Sequence, residues 1–577
     1  MATRALPAAR TSGRRLVATL AVLILGLTAI LTRLVLLQVK DASAFDTLAH
    51  DQRVRDVPAP APRGSILDRN GQPLAISVPA KAVFADPKLV TDPKGEAQTI
   101  AATLGLDQAN VLKALTGTGR FVYLDRGVDV SIGEALQSML LPGVGLLDER
   151  RRSYPDGPIA PQVVGFVGVD DTGLAGLELG CQSLLAGRAG RQVIEEDPSG
   201  TVIPQGANID QPPVPGDDLV LTLDQQIQFR AQQALAQAVR ANHAKSGTVI
   251  VMDPRTGEIL AMASDPWFDP NSFSTADPQA IRNRAVTDVY EPGSVNKVIT
   301  AAAAIQEGAI NLDQTLTVPD AYQLYTKTFH DAHFHPTQKM TLADIIAYSS
   351  NIGTIEVANL LGRNRFASYL YRFGLAHSTG SGFPGEVSGL LPPVNQWSGT
   401  SMGTIPIGQG IAVTPLQMAA VYATIANGGV WVQPRFVRGT IGPDGTLVPA
   451  PPSLTRRVVS VETAQTVSDM LAYAVDVGTG TEAQIPGYWS AGKTGTALKV
   501  RADGTGYTDK YIASFIGFAP ASQPALVVAA ILDEPVTEYG GVAAAPLFQA
   551  VMRFALDRLG IAAAPRLPIP PHAITPG

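Results

Sequence analysis

Three short clusters combine hydroxyls, amines and a carboxamide at spacings suited to nucleophilic chemistry. In Ser294-Val295-Asn296-Lys297 the serine and lysine stand three apart, after Pro292-Gly293 and before the apolar run VITAAAAIQ. The pattern predicts a helix start, and residues i and i+3 share one helical face. A lysine one turn from a serine can take its proton if the amine's own pKa is depressed, and a helix N-terminus favours developing negative charge. Ser349-Ser350-Asn351 follows 55 residues later, at the end of LADIIAY. A hydroxyl and a carboxamide two positions apart can relay a proton and hold a peptide amide. Lys493-Thr494-Gly495-Thr496 lies 144 residues further on. A cation flanked by two hydroxyls suits a carboxylate, and Gly495 would let a substrate backbone come close. Taken singly, each cluster has an ordinary structural counterpart: a capped surface helix, a helix cap or turn, and a polar edge strand.

The elements that must position these groups are legible in outline. DLVLTL (218–223) reads as a strand, and Asp224 caps a long helical run, QQIQFRAQQALAQAVRANHA. TVIVMD (248–253) and EILAMAS (258–264) flank the turn Pro254-Arg255-Thr256-Gly257 as a β-hairpin. A mostly helical centre covers 295–430. YIASFIGFA (511–519) and ALVVAAILD (525–533) then read as strands, with a helix over 543–559. Strands at both ends of a helical block predict an α+β fold, one antiparallel sheet with an all-α insertion. Upstream, Asn70-Gly71 marks a hairpin turn, and 98–140 reads as helix, turn and helix. DQPPVPGD (210–217) is the best linker. The Pro-rich residues 563–577 read as a flexible tail. The expected division is a cytoplasmic tail at 1–15, an anchor at 16–39, a pedestal of the dimerisation-domain type at 40–215 and a catalytic domain at 216–562.

The compartment follows from the start of the chain. LVATLAVLILGLTAILT (16–32) carries no charge and continues past Arg33 as LVLLQV. This reaches the ~20 residues that cross a bilayer as a helix. Arg4, Arg10, Arg14 and Arg15 precede it, so the positive-inside rule places the N-terminus in the cytoplasm and everything after residue 40 outside. Ala42-Ser43-Ala44 offers a cleavage-like site, but the run exceeds the ~7–15 residues of a signal h-region. A single-pass plasma-membrane protein is expected. The 577 residues, 45% hydrophobic and 16% charged, exclude a disordered protein and imply several domains. A net charge of −6 gives no footing for nucleic acid, and one cysteine, Cys181, excludes an intrachain disulfide.

Several motifs compete. Gly487-Tyr-Trp-Ser-Ala-Gly492-Lys493-Thr494 matches a P-loop letter for letter. A P-loop must follow a strand and open a helix, whereas Ile485-Pro486 precedes this one and TALKV with two glycines follows. Gly380-Ser-Gly382-Phe-Pro-Gly385 matches a dinucleotide fingerprint without its βαβ setting and reads as a turn cluster. His330, His333 and His335 with Asp331 lack a fixed helical ligand spacing and read as a loop near the cleft. No metal or organic cofactor is expected. Cys181 reads as a small buried filler.

S-x-x-K, S-x-N and K-T-G in this order form the signature of the penicillin-recognising serine enzymes. The sequence resembles the class B penicillin-binding proteins, and within them the division-specific penicillin-binding protein 3 branch. That likeness is also carried by NRAVTD (283–288), YEPGS (290–294), GQGIAVTPLQMA (408–419), IPGYWSAGKTGTA (485–497) and the pedestal motif RGSILDRNG (63–71). It extends from the anchor to about residue 560. Ser350 stands where many β-lactamases have Asp, a departure that division transpeptidases tolerate. The resemblance implies a β-lactamase-like catalytic domain on a pedestal, acting as a D-Ala-D-Ala transpeptidase that cross-links peptidoglycan stem peptides in septal wall synthesis and is acylated by β-lactams. It implies Ser294 as nucleophile, Lys297 as general base and Ser349 as proton relay. Asn351 would hold the donor amide, and Lys493, Thr494, Gly495 and Thr496 the terminal carboxylate. The backbone N–H groups of Ser294 and Thr496 would form the oxyanion hole. It also implies partners: a polytopic division glycosyltransferase and other divisome membrane proteins, since no region here is large enough to polymerise glycan. A D,D-carboxypeptidase and a non-catalytic penicillin-binding sensor or scaffold use the same motifs, whereas a soluble β-lactamase has no use for the anchor.

Overall fold

The computed structural model describes residues 11–40, 54–195, 208–501, 503–537 and 539–574, so Arg4, Arg10 and the Ala42-Ser43-Ala44 site lie outside the described residues. The described chain divides into two units, Met1–Ala61 with Arg188–Val214, and Pro62–Gly187 with Pro215–Gly577. In the first, Thr11–Val35 (α1) is α-helical and continues as a π-helical turn over Leu36–Lys40. Gly13–Val39 is the one span among the described residues long and apolar enough to cross a membrane. This unit also holds a three-stranded sheet in which Gly190–Glu195 pairs with both Val54–Ala59 and Asn208–Gln211. The expected linker therefore begins as a strand, and Val214 bridges to Arg188.

The second unit opens with the Asn70-Gly71 turn, which joins Ile66–Leu67 (β1) to Pro73–Ala85 (β2) as an antiparallel pair. Helices Pro93–Leu104, Gln108–Leu115 and Val130–Ser138 pack on the strands that follow, around Val83, Ile100, Val111 and Leu136. The helix-turn-helix expected over 98–140 missed a strand, Val122–Val128 (β3), which pairs with β2. Asp125, Arg126 and Gly127 interrupt the apolar alternation that would have marked it. Asp218–Leu221 (β4) runs parallel to β1, and Asp224 then caps Gln225–Ala241 (α2) by accepting from Gln226 N and Ile227 N.

The half that carries the three motifs is the α+β arrangement that the strand pattern required. Ser246–Met252 (β5) and Ile259–Asp265 (β6) form the expected hairpin. They join Leu526–Asp533 (β9), Tyr507–Ala519 (β8) and Ala491–Val500 (β7) in one antiparallel sheet ordered β6-β5-β9-β8-β7. Helices α2 and Ala545–Arg558 cover one face around Leu235, Phe515 and Phe548. The helical insertion packs around a second core that includes Lys297–Gln306 (α3), Leu342–Ala347 (α4), Asn351–Leu361 (α5), Pro415–Ala426 and Val461–Asp476 (α6). β7 ends the sheet order, so one of its backbone edges faces away from the sheet.

Residues 565–574 depart from the expected flexible tail. They lack regular structure, yet Arg566 lies over the Trp489 ring at 4.4 Å, Leu567 is buried and Ala573 N donates to Asp344 at 2.8 Å. Prolines lower the entropy lost on docking such a segment, so composition alone misread it.

Candidate active site

The nucleophile candidate sits where a 3₁₀ turn, Gly293–Asn296, passes into α3. The segment is pinned from below. Asn296 Nδ2 donates to Ile405 O (2.9 Å), Tyr422 Oη to Val295 O (3.0 Å) and Gly293 N to Gly408 O (3.0 Å). Gly408 must lack a side chain, because a Cβ there would stand 2.1 Å from Gly293 O. Ser294 itself is partly exposed, while Lys297 one turn on is completely buried.

The second motif meets that lysine. α4 stops at Ala347, Ser349 adopts a left-handed φ of +62° and Asn351 opens α5. Such backbone is uncommon for serine and places its carbonyl and hydroxyl together toward one atom. Lys297 Nζ donates to Ser349 O (2.6 Å), Asn351 Oδ1 (2.7 Å) and Ser349 Oγ (3.3 Å). The two short contacts are carbonyl oxygens, which only accept. The hydroxyl can reverse its role, accepting from the ammonium or donating to the neutral amine. Burial lowers the Lys297 pKa to about 7, opposed by the negative charge of Asp331.

The third motif lies on β7. Lys493 is buried, with Nζ at 3.0 Å from Thr494 Oγ1 and 3.3 Å from Thr479 Oγ1, and those two hydroxyls are 2.8 Å apart. Burial, reinforced by the charge of Lys297, pushes the Lys493 amine well below its ordinary value. Two buried amines therefore act on each other's charge, a setting that an incoming carboxylate relieves. A Cβ on Gly293 would stand 3.0 Å from Thr496 O, so the Thr496 backbone points toward the nucleophile segment. In an antiparallel strand a residue's N–H and C=O share one edge, so the Thr496 N–H faces the same way. Gly495 also has a reason within the protein itself. Its missing Cβ would strike Ser514 Oγ at 2.3 Å and Val295 Cγ1 at 3.0 Å, so the glycine lets β7 press onto the nucleophile segment.

A penicillin-binding-protein transpeptidase domain model matches residues 247–553, and a penicillin-binding-protein dimerisation domain model matches 58–221. The chain belongs to the division-type class B penicillin-binding proteins. Penicillin-binding protein PbpB of Mycobacterium tuberculosis is 38% identical over 567 residues, covering 92% of this chain and 83% of that protein. Peptidoglycan D,D-transpeptidase FtsI of Escherichia coli K12 is 36% identical over 509 residues, covering 86% and 84%. The crystal structure of penicillin-binding protein 3 from M. tuberculosis complexed with aztreonam matches with a TM-score of 0.72 at 34% identity, over 90% of this chain and 100% of that one. This class B penicillin-binding protein is thus a serine transpeptidase by family.

The P-loop letters lie otherwise in this penicillin-binding protein: Gly492-Lys493-Thr494 is inside a strand, and among the described residues no helix follows it before β8. Two groups beside the motifs were not given these contacts by the sequence reading, which placed Asp331 only in a loop near the cleft and did not single out Thr479. Thr479 extends the Lys493 site, its only signal being the glycines that flank it. Asp331, from the histidine-rich loop, receives Asn351 N, Ile352 N (3.0 Å), Ser350 Oγ (2.7 Å) and His335 Nε2 (3.0 Å). It thereby fixes the start of α5 and with it Asn351. Among the described residues no group of three His, Cys, Asp or Glu side chains could hold a metal ion. Cys181 is half-buried, and burial raises its thiol pKa.

Asp331→Asn is expected to lower stability by about 2 kcal/mol, the typical worth of hydrogen bonds to a charged acceptor. Removing its charge should also move the alkaline rise of β-lactam acylation to lower pH, because that charge holds the Lys297 proton. Thermal melting and the pH profile of acylation check the two effects separately.

Proposed function

We propose that this penicillin-binding protein cross-links peptidoglycan stem peptides through an acyl-enzyme on Ser294, outside the cell. The observation that carries this reading is the buried Lys297 amine, lowered to about 7 and held by two carbonyl oxygens and one hydroxyl. When neutral it donates its two protons to Ser349 O and Asn351 Oδ1, leaving its lone pair for the Ser294 proton. Ser294 Oγ attacks the penultimate D-Ala carbonyl while the N–H groups of Ser294 and Thr496 receive the oxyanion. As the C–N bond breaks, the proton passes from Lys297 through Ser349 Oγ to the departing D-Ala nitrogen. An amine from a neighbouring stem then attacks the ester carbonyl, forming the cross-link and freeing Ser294. Asn351 orients the donor amide, and Lys493, Thr494 and Thr496 hold the terminal carboxylate. A β-lactam enters the same path and leaves a stable ester.

Lys493→Ala is expected to weaken carboxylate recognition by about 2 kcal/mol, roughly 30-fold, in the binding constant that precedes acylation. Stopped-flow acylation by benzylpenicillin separates that constant from the chemical step, and an unchanged binding constant removes Lys493 from this role. The one apolar span among the described residues anchors the chain, with its N-terminal end, next to Arg14 and Arg15, in the cytoplasm. Glycan polymerisation is then the task of a separate polytopic membrane partner of the division machinery.

The testing experiment incubates the protein with a donor pentapeptide and an amine acceptor, and follows the products by mass spectrometry. A cross-linked dimer supports the transpeptidase. Tetrapeptide alone identifies a carboxypeptidase, and a penicilloyl adduct without peptide turnover identifies a sensor or scaffold.

A further inference from the structure

The C-terminal segment touches three elements that carry or buttress the site. Ser522 Oγ donates to Pro565 O (2.7 Å), and Arg566 pairs with Asp476, the last residue of α6, while lying over Trp489, two residues before β7. The His572 ring packs on Tyr473 of α6 with centroids 5.4 Å apart. Ala573 N (2.8 Å) and Ile574 N (3.4 Å) both donate to the Asp344 carboxylate, and Thr341 Oγ1 lies 2.8 Å from Pro571 O.

Thr341 and Asp344 form the capping box that starts α4, a helix of only six residues. A helix this short has little stability of its own, so its position is set by what holds its ends. At the other end Ala347 O accepts from Thr479 N (3.1 Å), and a Cβ on Gly478 would stand 2.2 Å from the same oxygen. Two residues beyond Ala347 is Ser349, whose carbonyl and hydroxyl hold Lys297 Nζ. One short helix therefore supports both the proton relay and, through Thr479, the Lys493 site. The Asp344 carboxylate at its head is buried and takes donors from Thr341 and from the tail.

We propose that residues 565–574 are a clasp that positions α4, so that docking of the tail sets the rate of the acylation step. Asp344 and the tail amides are positioning groups; none touches substrate. The inference rests on the serine-acylation reading above. Displacement of Ser349 by even a fraction of an ångström acts on the proton transfer, since misplacement of about 1 Å can cost 100-fold.

The test compares the full chain in detergent with a chain ending at Ala563, using benzylpenicillin and measuring the initial binding constant and the acylation rate constant separately. The rate constant should fall at least tenfold with the binding constant changed less than twofold, and a synthetic peptide of residues 564–574 added in trans should restore it. In the full chain, Ala573→Pro, which removes the N–H donated to Asp344, should reproduce the slow step, whereas Ala573→Gly, which keeps it, should not. A shortened chain that acylates at the full-length rate overturns the clasp, as does a loss that the peptide cannot repair. If the shortened chain does not fold, the Pro and Gly variants decide: equal rates for the two overturn the proposal. Failure of the full chain itself to form an adduct on Ser294 would instead sink the serine-acylation reading.

Discussion

Ser294→Ala is expected to eliminate the penicilloyl adduct, with intact-mass measurement showing only the unmodified chain after long incubation. The expectation needs argument, because another hydroxyl lies beside the same amine. Ser349 Oγ lies 3.3 Å from Lys297 Nζ, so an activated Ser349 would be a second nucleophile. Its setting is that of a relay: Ser349 lies between the end of α4 and the start of α5, and its own carbonyl and hydroxyl are both held by the lysine. Ser294 stands at the entry of α3, in the segment toward which the Thr496 backbone points. Ser294 is partly exposed, so removing its hydroxyl is expected to leave the fold unchanged. An adduct surviving in Ser294→Ala, mapped to Ser349, would reverse the assignment of the two serines.

Lys297→Ala is the second large effect. A positioned general base contributes about 10²–10⁴-fold, and here no neighbour can replace it, because Lys493 is committed to Thr479 and Thr494. Acylation should slow by roughly 10³-fold while the weak initial binding of the β-lactam persists. The pH dependence carries the sign of the mechanism. The base works only as the neutral amine, and its pKa is lowered to about 7 by burial. Acylation by the unaltered protein should therefore fall about tenfold per pH unit below that value and level off above it. In Lys297→Ala the rise near pH 7 should vanish. An unchanged profile would assign the titration to another group.

The sequence exposed the chemistry more fully than the geometry. Ser294, Lys297, Ser349, Asn351 and Lys493 could be nominated because three patterned motifs occur in a fixed order, and the hairpin around Pro254–Gly257 was legible from alternation and turn residues. β3 was not, because Asp125, Arg126 and Gly127 occupy positions where pairing with β2 decides the structure rather than propensity. Asp331 was visible as a residue but not as a cap, since its partners Ser350, Asn351 and Ile352 lie about twenty positions away. Gly495 illustrates the same limit. A glycine announces a close approach, but not whether substrate or protein does the approaching. The proline-rich end was read by composition, and only its contacts with Thr341, Asp344 and Trp489 reveal that it is held.

The Asn70-Gly71 turn has a thermodynamic consequence. Asp68 accepts from Asn70 N and Gln72 N within the turn and also from Gln225 N at the start of α2, while Asn70 Nδ2 reaches the Asp224 cap. Arg69 continues the join to Glu258, which also pairs with Arg435. One side of this network lies in the segment matched by the dimerisation model, and the other reaches into the segment matched by the transpeptidase model. Unfolding either side removes one partner from a buried carboxylate of the other, Gln225 N from Asp68, Asn70 Nδ2 from Asp224 or Arg69 from Glu258, so the free energies of the two parts are coupled rather than additive. The seam between the two family segments is consequently a cooperative joint and not a flexible boundary, and heat should melt both sides in a single calorimetric transition.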